Sequence, residues 1–537
     1  IVADVHQVRV RNRALLSEQM KGFLSKASEL QVDLAACPEY SCTWDALYES
    51  VSNNVFPAPG KLWAIACESV DRNQIINERQ RLSNYARIVL DESYIHGNGN
   101  FLDCLCYLFV TRDENNNSVN VVLIQLKTNQ MGGDDFESAN LILGQYIYRF
   151  GRNQDNRLVG LLCSDTLSQE FDGLVPELLE RTLVIHLQLN PNGASPGFRN
   201  YRIRCCNYAP RDTEILCLNW AKNTKLQLEQ GEKVLIREPR TILFRDTDHI
   251  DETDERITEN HKRGCYLTYW KESRSAAYVF SPDPQLFLYK TTKPFVAGPA
   301  TNARKTGLVM ISRHLWDQDQ GWGLAAADSD DRFKSYWLDN YQELHPILVD
   351  QAPSLLDTER TIQICIGYGL EPKWAHWKIL PSFQLANDDT AKRLRLCWSN
   401  SGDGYNFRSD CLSRFRSFAS IAAQPAHFSP RLADFKQSPF TVGFIESPRS
   451  KYHRNMHIDG GRSATAIYMG QTPAVEKLIE TKKKLIAQLA DIGADTQLVA
   501  IWHQDANGML YDYMDNDVPA VNLDPRANPV AFDNTDP

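Results

Sequence analysis

Short runs of continuously apolar residues recur through the first half of the chain, and they constrain its fold more than any other feature. The run Leu158–Leu162 is typical of a strand buried on both faces, and Leu183–Leu189 and Glu214–Leu218 repeat the pattern. Near the start, apolar residues from Leu16 to Leu30 follow the spacing of a helix. Buried strands combined with helices predict a layered α/β fold.

The length of the chain predicts more than one domain, because 537 residues exceed what one hydrophobic core usually supports. The stretch 294–302 is small, polar and interrupted by prolines, so a domain boundary is predicted near residue 300. The segment 222–272 is dense in charge and is predicted to be an insertion. The predicted organisation is a first domain at 1–299, a second, mixed α/β domain at 300–514 and an acidic, polar tail at 515–537.

The region after residue 300 holds seven of the eleven Trp residues and alternates strand-like runs with polar loops. One helix is predicted there, with Thr472 as its cap and Gly493 as its end. Strands are predicted at 307–311, 361–366, 393–398, 441–445, 464–469 and 497–502.

Composition and charge argue against several classes of protein. The net charge of −9 gives no support for a chain-wide nucleic-acid surface, which needs clustered Lys and Arg. No stretch approaches the roughly 18–20 apolar residues of a membrane span. The start, Ile1–Val5, has neither the basic region of a secretory leader nor a Met, so the chain is expected to belong to something longer. Thirteen scattered Cys residues favour reduced thiols and a cytoplasmic location.

Three chemically active side chains lie at the ends of predicted buried strands. Glu39 follows the strand at Asp33–Cys37, Lys127 ends a strand that begins at Val119, and Cys163 follows the run Leu158–Leu162. Cys163 is predicted to open a strand-to-helix turn, where the sulfur is exposed and a helix N-terminus favours the thiolate. Strand ends are where layered α/β proteins display site residues, so the three are predicted to meet in one active site.

The three residue types suit the cleavage of an amide. A thiol that attacks an amide carbon must lose a proton, and the carboxylate of Glu39 can take it. The oxyanion then needs a cation and a backbone N–H, which Lys127 and the amide of Ser164 can supply. The same carboxylate can next activate water to cleave the thioester. No metal or organic cofactor is required.

The order and context of these residues resemble the nitrilase superfamily of carbon–nitrogen hydrolases. Asp33–Ser41 is similar to its first motif, a strand that runs into Pro-Glu-Tyr, and Leu161–Asp165 with Glu170 is similar to its nucleophile motif. The resemblance covers residues 1 to about 297 and implies an α/β/β/α four-layer sandwich with a Glu-Lys-Cys triad at Glu39, Lys127 and Cys163.

The resemblance also implies partners and substrate contacts. The expected substrate is a small amide or nitrile, the second acidic residue that positions it is Glu137, and a homo-oligomer is expected. Ser164 stands where the family usually has an aromatic residue, and Thr128-Asn129 replaces the usual basic or His residues after the lysine. These departures bear on the substrate class more than on the fold.

Two further motifs are rejected as sites. Gly193-Ala-Ser195-Pro-Gly197 spells the serine-hydrolase G-x-S-x-G, but Pro196 has no N–H for an oxyanion hole. His453, His457 and Asp459 suggest a metal site, but no further paired ligands follow, so a polar loop and no metal are predicted.

Two alternatives to a hydrolase stay open. The nitrilase-like region can be a catalytically weak binding or oligomerisation module of a larger protein, because such regions occur fused to reverse transcriptases thought to act in antiviral defence. In that setting nucleic acid would be reached only through the larger assembly. The Trp-rich region after residue 300 can alternatively recognise a ligand or a nucleic acid by stacking.

Overall fold

The structure is a computed structural model that combines sheets and helices in a mixed α/β architecture. Within the residues that it describes, no helix is both long and apolar enough to cross a membrane. The described residues are 2–4, 7–131, 135–151, 157–168, 182–190, 196–208, 213–220, 224–228, 231–235, 241–246, 255–270, 275–281, 284–291, 307–327, 355–367, 402–443, 455–490, 493 and 495–514.

The chain divides into two compact units. The first unit comprises residues 1–250, 263–265 and 274–327, and the second comprises the remainder. The division falls between residues 327 and 328, whereas the sequence predicts a boundary near 300, among residues that lie outside those described.

The first unit begins with a short hairpin and a five-stranded sheet covered by helices. The strands of this sheet lie in the order β3-β4-β6-β7-β5. The elements are β1 (Val2–Asp4), β2 (Gln7–Arg9), α1 (Arg13–Glu29), β3 (Leu34–Ala36), α2 (Trp44–Ser52), β4 (Leu62–Val70), α3 (Arg72–Ser83), β5 (Arg87–Leu90), β6 (Leu102–Arg112) and β7 (Ser118–Leu126). The polar stretch 113–118 between two strand-like runs predicts the tip of a hairpin, and this prediction is confirmed, since β6 and β7 pair antiparallel.

The second sheet of the first unit carries parallel strands at its centre. In this unit its strands lie in the order β16-β14-β11-β10-β9-β8, and β9, β10 and β11 run parallel. The elements of this part of the chain are α4 (Asp135–Asn140), β8 (Arg149–Phe150), β9 (Arg157–Leu162), β10 (Thr182–Gln188), α5 (Pro196–Tyr208), β11 (Glu214–Asn219), β12 (Thr224–Leu228), β13 (Gly231–Leu235), β14 (Ile242–Asp246), β15 (Cys265–Trp270) and β16 (Ser275–Phe280).

The two sheets pack face to face, and the side chains of β6 alternate between two hydrophobic cores. One core lies under the helices and the other lies between the sheets. Cys104, Cys106 and Leu108 pack with α1 to α3, whereas Leu105 and Tyr107 pack against residues of the second sheet that include Leu162. Successive strand residues point to opposite faces, so a strand buried on both sides carries apolar residues throughout. This explains the apolar run that dominates the sequence of β6.

Two stretches of the chain after residue 222 supply strands to sheets of the first unit. The segment 222–272 contributes β14 to the interior of the second sheet, between β11 and β16, because Ile242, Leu243 and Phe244 form an apolar core within a charged stretch. The sequence also predicts a hairpin of residues 277–280 and 286–289 around the turn-like stretch 281–284, and this prediction is wrong. β17 (Gln285–Lys290) pairs with β18 (Val309–Asp317), which also pairs with β19 (Gly321–Leu324), in a separate three-stranded sheet.

The second unit is also mixed α/β among its described residues. Its five strands lie in the order β20-β21-β22-β23-β24. The elements are α6 (Glu255–Lys262), α7 (Leu355–Cys365), α8 (Gly402–Ala422), α9 (Ala433–Gln437), β20 (Thr441–Val442), β21 (Met456–His457), β22 (Ser463–Gln471), α10 (Val475–Ala490), β23 (Val499–Gln504) and β24 (Leu510–Asp512).

One secondary-structure prediction in the second unit is wrong. Residues 361–366 were expected to form a strand, but they continue α7 to Cys365, where residues 358–366 are all buried. Ile362, Ile364 and Ile366 alternate with Thr361, Gln363 and Cys365, which is the period of a strand, although the structure buries all six residues. The predicted strand at 393–398 and the tail at 515–537 lie outside the described residues.

Candidate active site

The three predicted catalytic residues lie at or just beyond strand ends of the first unit. Glu39 follows β3, Lys127 follows β7 directly, and Cys163 follows β9 directly. Their exposed fractions are 1%, 1% and 2%. Charged groups at such depth are retained only when they are paired, so the contacts of Lys127 define the site.

The ammonium group of Lys127 is surrounded by three carboxyl groups. Its Nζ lies 3.0 Å from Glu39 Oε1, 2.8 Å from Glu137 Oε1 and 3.6 Å from Asp103 Oδ2. We refer to these four residues as the lysine cluster. The sequence predicted two of the carboxyl groups, Glu39 and Glu137, and the structure adds Asp103.

Backbone and aromatic donors fix the two glutamates of the lysine cluster. Glu39 Oε2 accepts a hydrogen bond from the backbone N–H of Leu189 at 2.7 Å, and the Glu39 carbonyl accepts one from Trp220 Nε1 at 2.8 Å. Glu137 Oε2 accepts from the backbone N–H of Met131 at 2.8 Å. Both glutamates are therefore held by the chain as well as by the lysine.

The backbone at Cys163 is held in a left-handed conformation. Its φ is +31°, which is uncommon for a residue with a Cβ and typical of functional sites. Cys163 opens a 3₁₀ turn that ends at Leu167. Its carbonyl accepts from His186 Nε2 at 2.8 Å and from Thr166 Oγ1 at 3.3 Å, and these bonds hold the turn.

Asp165 joins the cysteine turn to the lysine strand end. Its Oδ1 accepts from the backbone N–H groups of Thr128 at 2.7 Å and Asn129 at 3.1 Å, and its Oδ2 accepts from Leu162 N–H at 2.9 Å. Burial raises the pKa of Asp165 to about 6, although these bonds oppose the rise. The carboxylate that bridges the two loops is therefore ionised at neutral pH.

Ser164 and Asn129 close the same junction. Ser164 Oγ donates to the Asn129 carbonyl at 2.6 Å, and Asn129 Nδ2 donates to the Ser164 carbonyl at 2.7 Å. The side chains of Ser164 and Asn129 thus each bond to the backbone of the other residue. The side chain of Ser164 is engaged with the protein, so only its backbone N–H is a candidate for the oxyanion.

Electrostatics in the site oppose a thiolate at rest. Burial raises the pKa of the Cys163 thiol well above its ordinary value, Glu39 raises it further, and Lys127 opposes the rise. Burial alone would lower the pKa of Lys127, but Glu137, Glu39 and Cys163 together raise it well above its usual value. The lysine stays charged and the thiol stays protonated. The expectation that a helix N-terminus favours the thiolate is therefore wrong, and the cysteine needs a base.

Sequence reasoning missed two residues of this site. Asp103 is the one charged residue of the apolar run FLDCLCYLFV, and His186 is the one polar residue between Leu183 and Leu187. A lone polar residue in a strand that is buried on both faces was the available signal. Glu170 and Gly193–Ser195 lie outside the described residues, and none of the described residues form a group of three or more His, Cys, Asp or Glu side chains arranged to hold a metal ion.

The pH dependence of stability tests the state of His186. Burial lowers the pKa of His186 to about 3, so the folded state excludes a proton that the unfolded state takes up below its ordinary pKa near 6.5. Stability from this group is present above pH 6.5 and is lost as the pH falls. The free energy of opening of β9 and β10 can be measured by hydrogen–deuterium exchange. When the pH is lowered from 7.5 to 5.0, this free energy should fall by about 2 kcal/mol more in wild type than in His186→Gln.

The control for this prediction is His96→Gln, since His96 is exposed. The free energy of opening of β9 and β10 in that variant should equal that of wild type at both pH values. A difference between wild type and His186→Gln that does not change with pH would contradict an uncharged, buried His186.

Comparison with known proteins yields structural neighbours only. No protein-family model matches the sequence, and no curated protein matches it. Part of the chain is similar to a solved amidase from Nesterenkonia sp., with 11% identity, coverage of 52% of this chain and 89% of that chain, and a TM-score of 0.25.

Two further neighbours are mutants of the amidase from Nesterenkonia sp. AN1. One, described as a nitrilase-superfamily amidase, shows 14% identity, coverage of 45% and 80%, and a TM-score of 0.24. The other carries acrylamide added at its active-site cysteine and shows 12% identity, coverage of 45% and 84%, and a TM-score of 0.24. Similarity at these TM-scores adds no weight to a functional assignment, which depends on the geometry of the lysine cluster and Cys163.

Proposed function

We propose that the first unit is a nitrilase-like carbon–nitrogen hydrolase that cleaves a small amide or nitrile through a thioester on Cys163. The observation that carries the proposal is the 3.0 Å contact between Lys127 Nζ and Glu39 Oε1, in a buried cluster whose charges also act on Cys163. Supporting observations are the left-handed backbone of Cys163 and the two packed sheets of the first unit. We propose the α/β/β/α layering for this unit as well.

In the first half of the proposed reaction on an amide, Glu39 takes the proton from the Cys163 thiol as the sulfur attacks the carbonyl carbon. The oxyanion is stabilised by Lys127 and by the backbone N–H of Ser164. Lys127 has three N–H donors and bonds to Glu39 and Glu137 with two of them, which leaves one for the oxyanion. When the tetrahedral intermediate collapses, the C–N bond breaks and the departing nitrogen takes the proton from Glu39.

In the second half, Glu39 takes a proton from water, and the resulting hydroxide attacks the thioester carbon. The C–S bond breaks, a carboxylic acid leaves, and the sulfur regains the proton. Because the thiol is protonated at rest, one carboxylate must serve as base in both halves. Glu39 suits that role, since Leu189 and Lys127 hold its two oxygens in place.

Ammonia release from a panel of short aliphatic amides and nitriles tests the proposal. Wild type should turn over at least one compound, and Glu39→Gln should slow that turnover by about 10²- to 10⁴-fold. The matched control is Glu29→Gln, since Glu29 is exposed and pairs only with Lys26 among the contacts described for it. Failure of wild type on the whole panel, or equal rates in wild type and Glu39→Gln, would contradict the hydrolase.

A second candidate function is a binding module without turnover. It is favoured by the burial of Glu39, Lys127 and Cys163, which leaves at most 2% of each exposed. A module predicts no covalent labelling of Cys163 by a small electrophilic amide, whereas a hydrolase predicts labelling. The homo-oligomer, the cytoplasmic location and any nucleic-acid contact through a larger assembly stay predictions.

A further inference from the structure

We infer that Asp103 carries a proton inside the lysine cluster and serves as a neutral positioning residue for Lys127 and Glu39. Its role in turnover rests on the proposed function. Its protonation rests on the geometry of the cluster alone.

Asp103 lies deep between the two sheets of the first unit. It is the second residue of β6, on the same face as Leu105 and Tyr107, and its exposed fraction is 0%. Its carbonyl accepts from the backbone N–H of Lys127 at 3.0 Å, so β6 and the lysine strand end are held together here. The side chain therefore faces the ammonium group from a fixed backbone.

The charges of the cluster do not balance if every carboxyl group is ionised. One ammonium and three carboxylates would leave a net charge of −2 without access to water. Desolvation of a charge costs several kcal/mol unless partners compensate it, and neighbouring carboxylates raise each other's pKa. At least one of Glu39, Glu137 and Asp103 is therefore expected to hold a proton.

Hydrogen bonds identify which carboxyl group holds it. Glu39 accepts from Lys127 and Leu189, and Glu137 accepts from Lys127 and Met131. No N–H group of the described residues donates to either oxygen of Asp103, whose side-chain hydrogen-bonding neighbours are the carboxyl group of Glu39 and the hydroxyl of Tyr40. Its ion-pair distance to Lys127 is the longest of the three. The least compensated carboxyl group is the one that takes up the proton.

The surroundings of Asp103 support this assignment. Burial raises the pKa of Asp103 well above its usual value, Glu39 raises it further, and Lys127 opposes the rise. The titratable groups that interact with it electrostatically are Glu39, Tyr40, Cys104, Lys127, Glu137 and Cys163. A neutral Asp103 leaves Lys127 paired with two carboxylates and keeps its third N–H free of a competing charge.

Hydrogen–deuterium exchange of β6 and β7 in the full chain tests the protonation. The folded state holds a proton that the unfolded state releases above its ordinary pKa near 3.9, so stability from this group is lost as the pH rises. The opening equilibrium constant of wild type, divided by that of Asp103→Asn, should rise about tenfold per pH unit from pH 5 until the folded-state pKa is reached. The ratio cancels the intrinsic pH dependence of exchange.

Asp113→Asn, in the exposed turn between β6 and β7, is the matched control and should give a flat ratio over this range. A flat or falling ratio for Asp103→Asn would overturn the inference. This arm needs no substrate, so it stands apart from the test of the hydrolase.

Turnover supplies the second arm. Asp103→Asn should keep activity within about tenfold of wild type with a similar pH profile, because asparagine is neutral and can also donate a hydrogen bond. Asp103→Leu should lose about 100-fold or more. Equal, large losses in both variants, with β6 still protected from exchange, would show that a charged Asp103 is required and would overturn the inference.

Discussion

Replacing Lys127 with methionine should lower the free energy of unfolding of the first unit by about 3–5 kcal/mol and abolish turnover. Methionine fills a similar volume, but it leaves Glu39 and Glu137 buried without the cation that both contact within 3.0 Å. The loss should shrink at acidic pH, where protonation relieves the unpaired carboxylates. Urea unfolding followed by exchange of the two sheets at pH 7.5 and 5.0 measures both effects.

Lys26→Met is the control for Lys127→Met. Lys26 pairs with the exposed Glu29, and such surface pairs contribute about 1 kcal/mol or less. If Lys127→Met lowers the free energy of unfolding no more than Lys26→Met does, the lysine cluster is not a buried ionic centre. That result would also contradict the roles of Glu39 as base and of Lys127 at the oxyanion.

Replacing Cys163 with alanine should reduce turnover by roughly 10⁴-fold or more while it leaves the fold intact. The bonds that hold this turn go to the Cys163 carbonyl, from His186 and Thr166, and alanine keeps that carbonyl. Alanine also tolerates the left-handed backbone no worse than cysteine does. Ammonia release and exchange protection of β9 measure the two outcomes on the same sample.

Cys217→Ala is the matched control, because Cys217 is an equally buried thiol on β11 of the same sheet. It should lose some stability through the small cavity and keep its activity. A Cys163→Ala variant that keeps a tenth or more of wild-type activity would remove the thioester route.

The sequence was most informative about which residues stand at strand ends. Apolar runs located β7 and β9, and the residues directly after them are Lys127 and Cys163. This works because a strand buried on both faces is apolar along most of its length, so a charged or nucleophilic residue directly after such a run marks the edge of the sheet.

The sequence was less informative about the pairing of strands and about short buried helices. β16 and β17 are consecutive and separated by a turn-like stretch, yet they belong to different sheets. Pairing is decided by which faces must be covered, and local turn residues do not encode that. The sequence of the helix at Leu355–Cys365 predicts a strand in part, because three isoleucines from Ile362 to Ile366 alternate with residues that are buried as well.

Electrostatic properties of the site were the least predictable. A predicted helix N-terminus at Cys163 favours a thiolate, but the pKa of a buried thiol depends on every charge near it, and Glu39 opposes Lys127. Likewise, Asp103 lies 24 residues before Lys127 in sequence, and only the antiparallel register of β6 and β7 brings them together. Opposing charges from residues that are distant in sequence can be identified only once the three-dimensional structure places them side by side.

Trapping the acyl group on the enzyme is the most direct test of the claim that Glu39, Lys127 and Cys163 act as one catalytic cluster. Wild type would be quenched with acid during turnover of a short aliphatic amide, digested and analysed by peptide mass spectrometry. We expect an acyl mass on the peptide that contains Cys163, and no such mass in Lys127→Met or Cys163→Ala. Turnover without an adduct, or an adduct on another cysteine, would contradict the account.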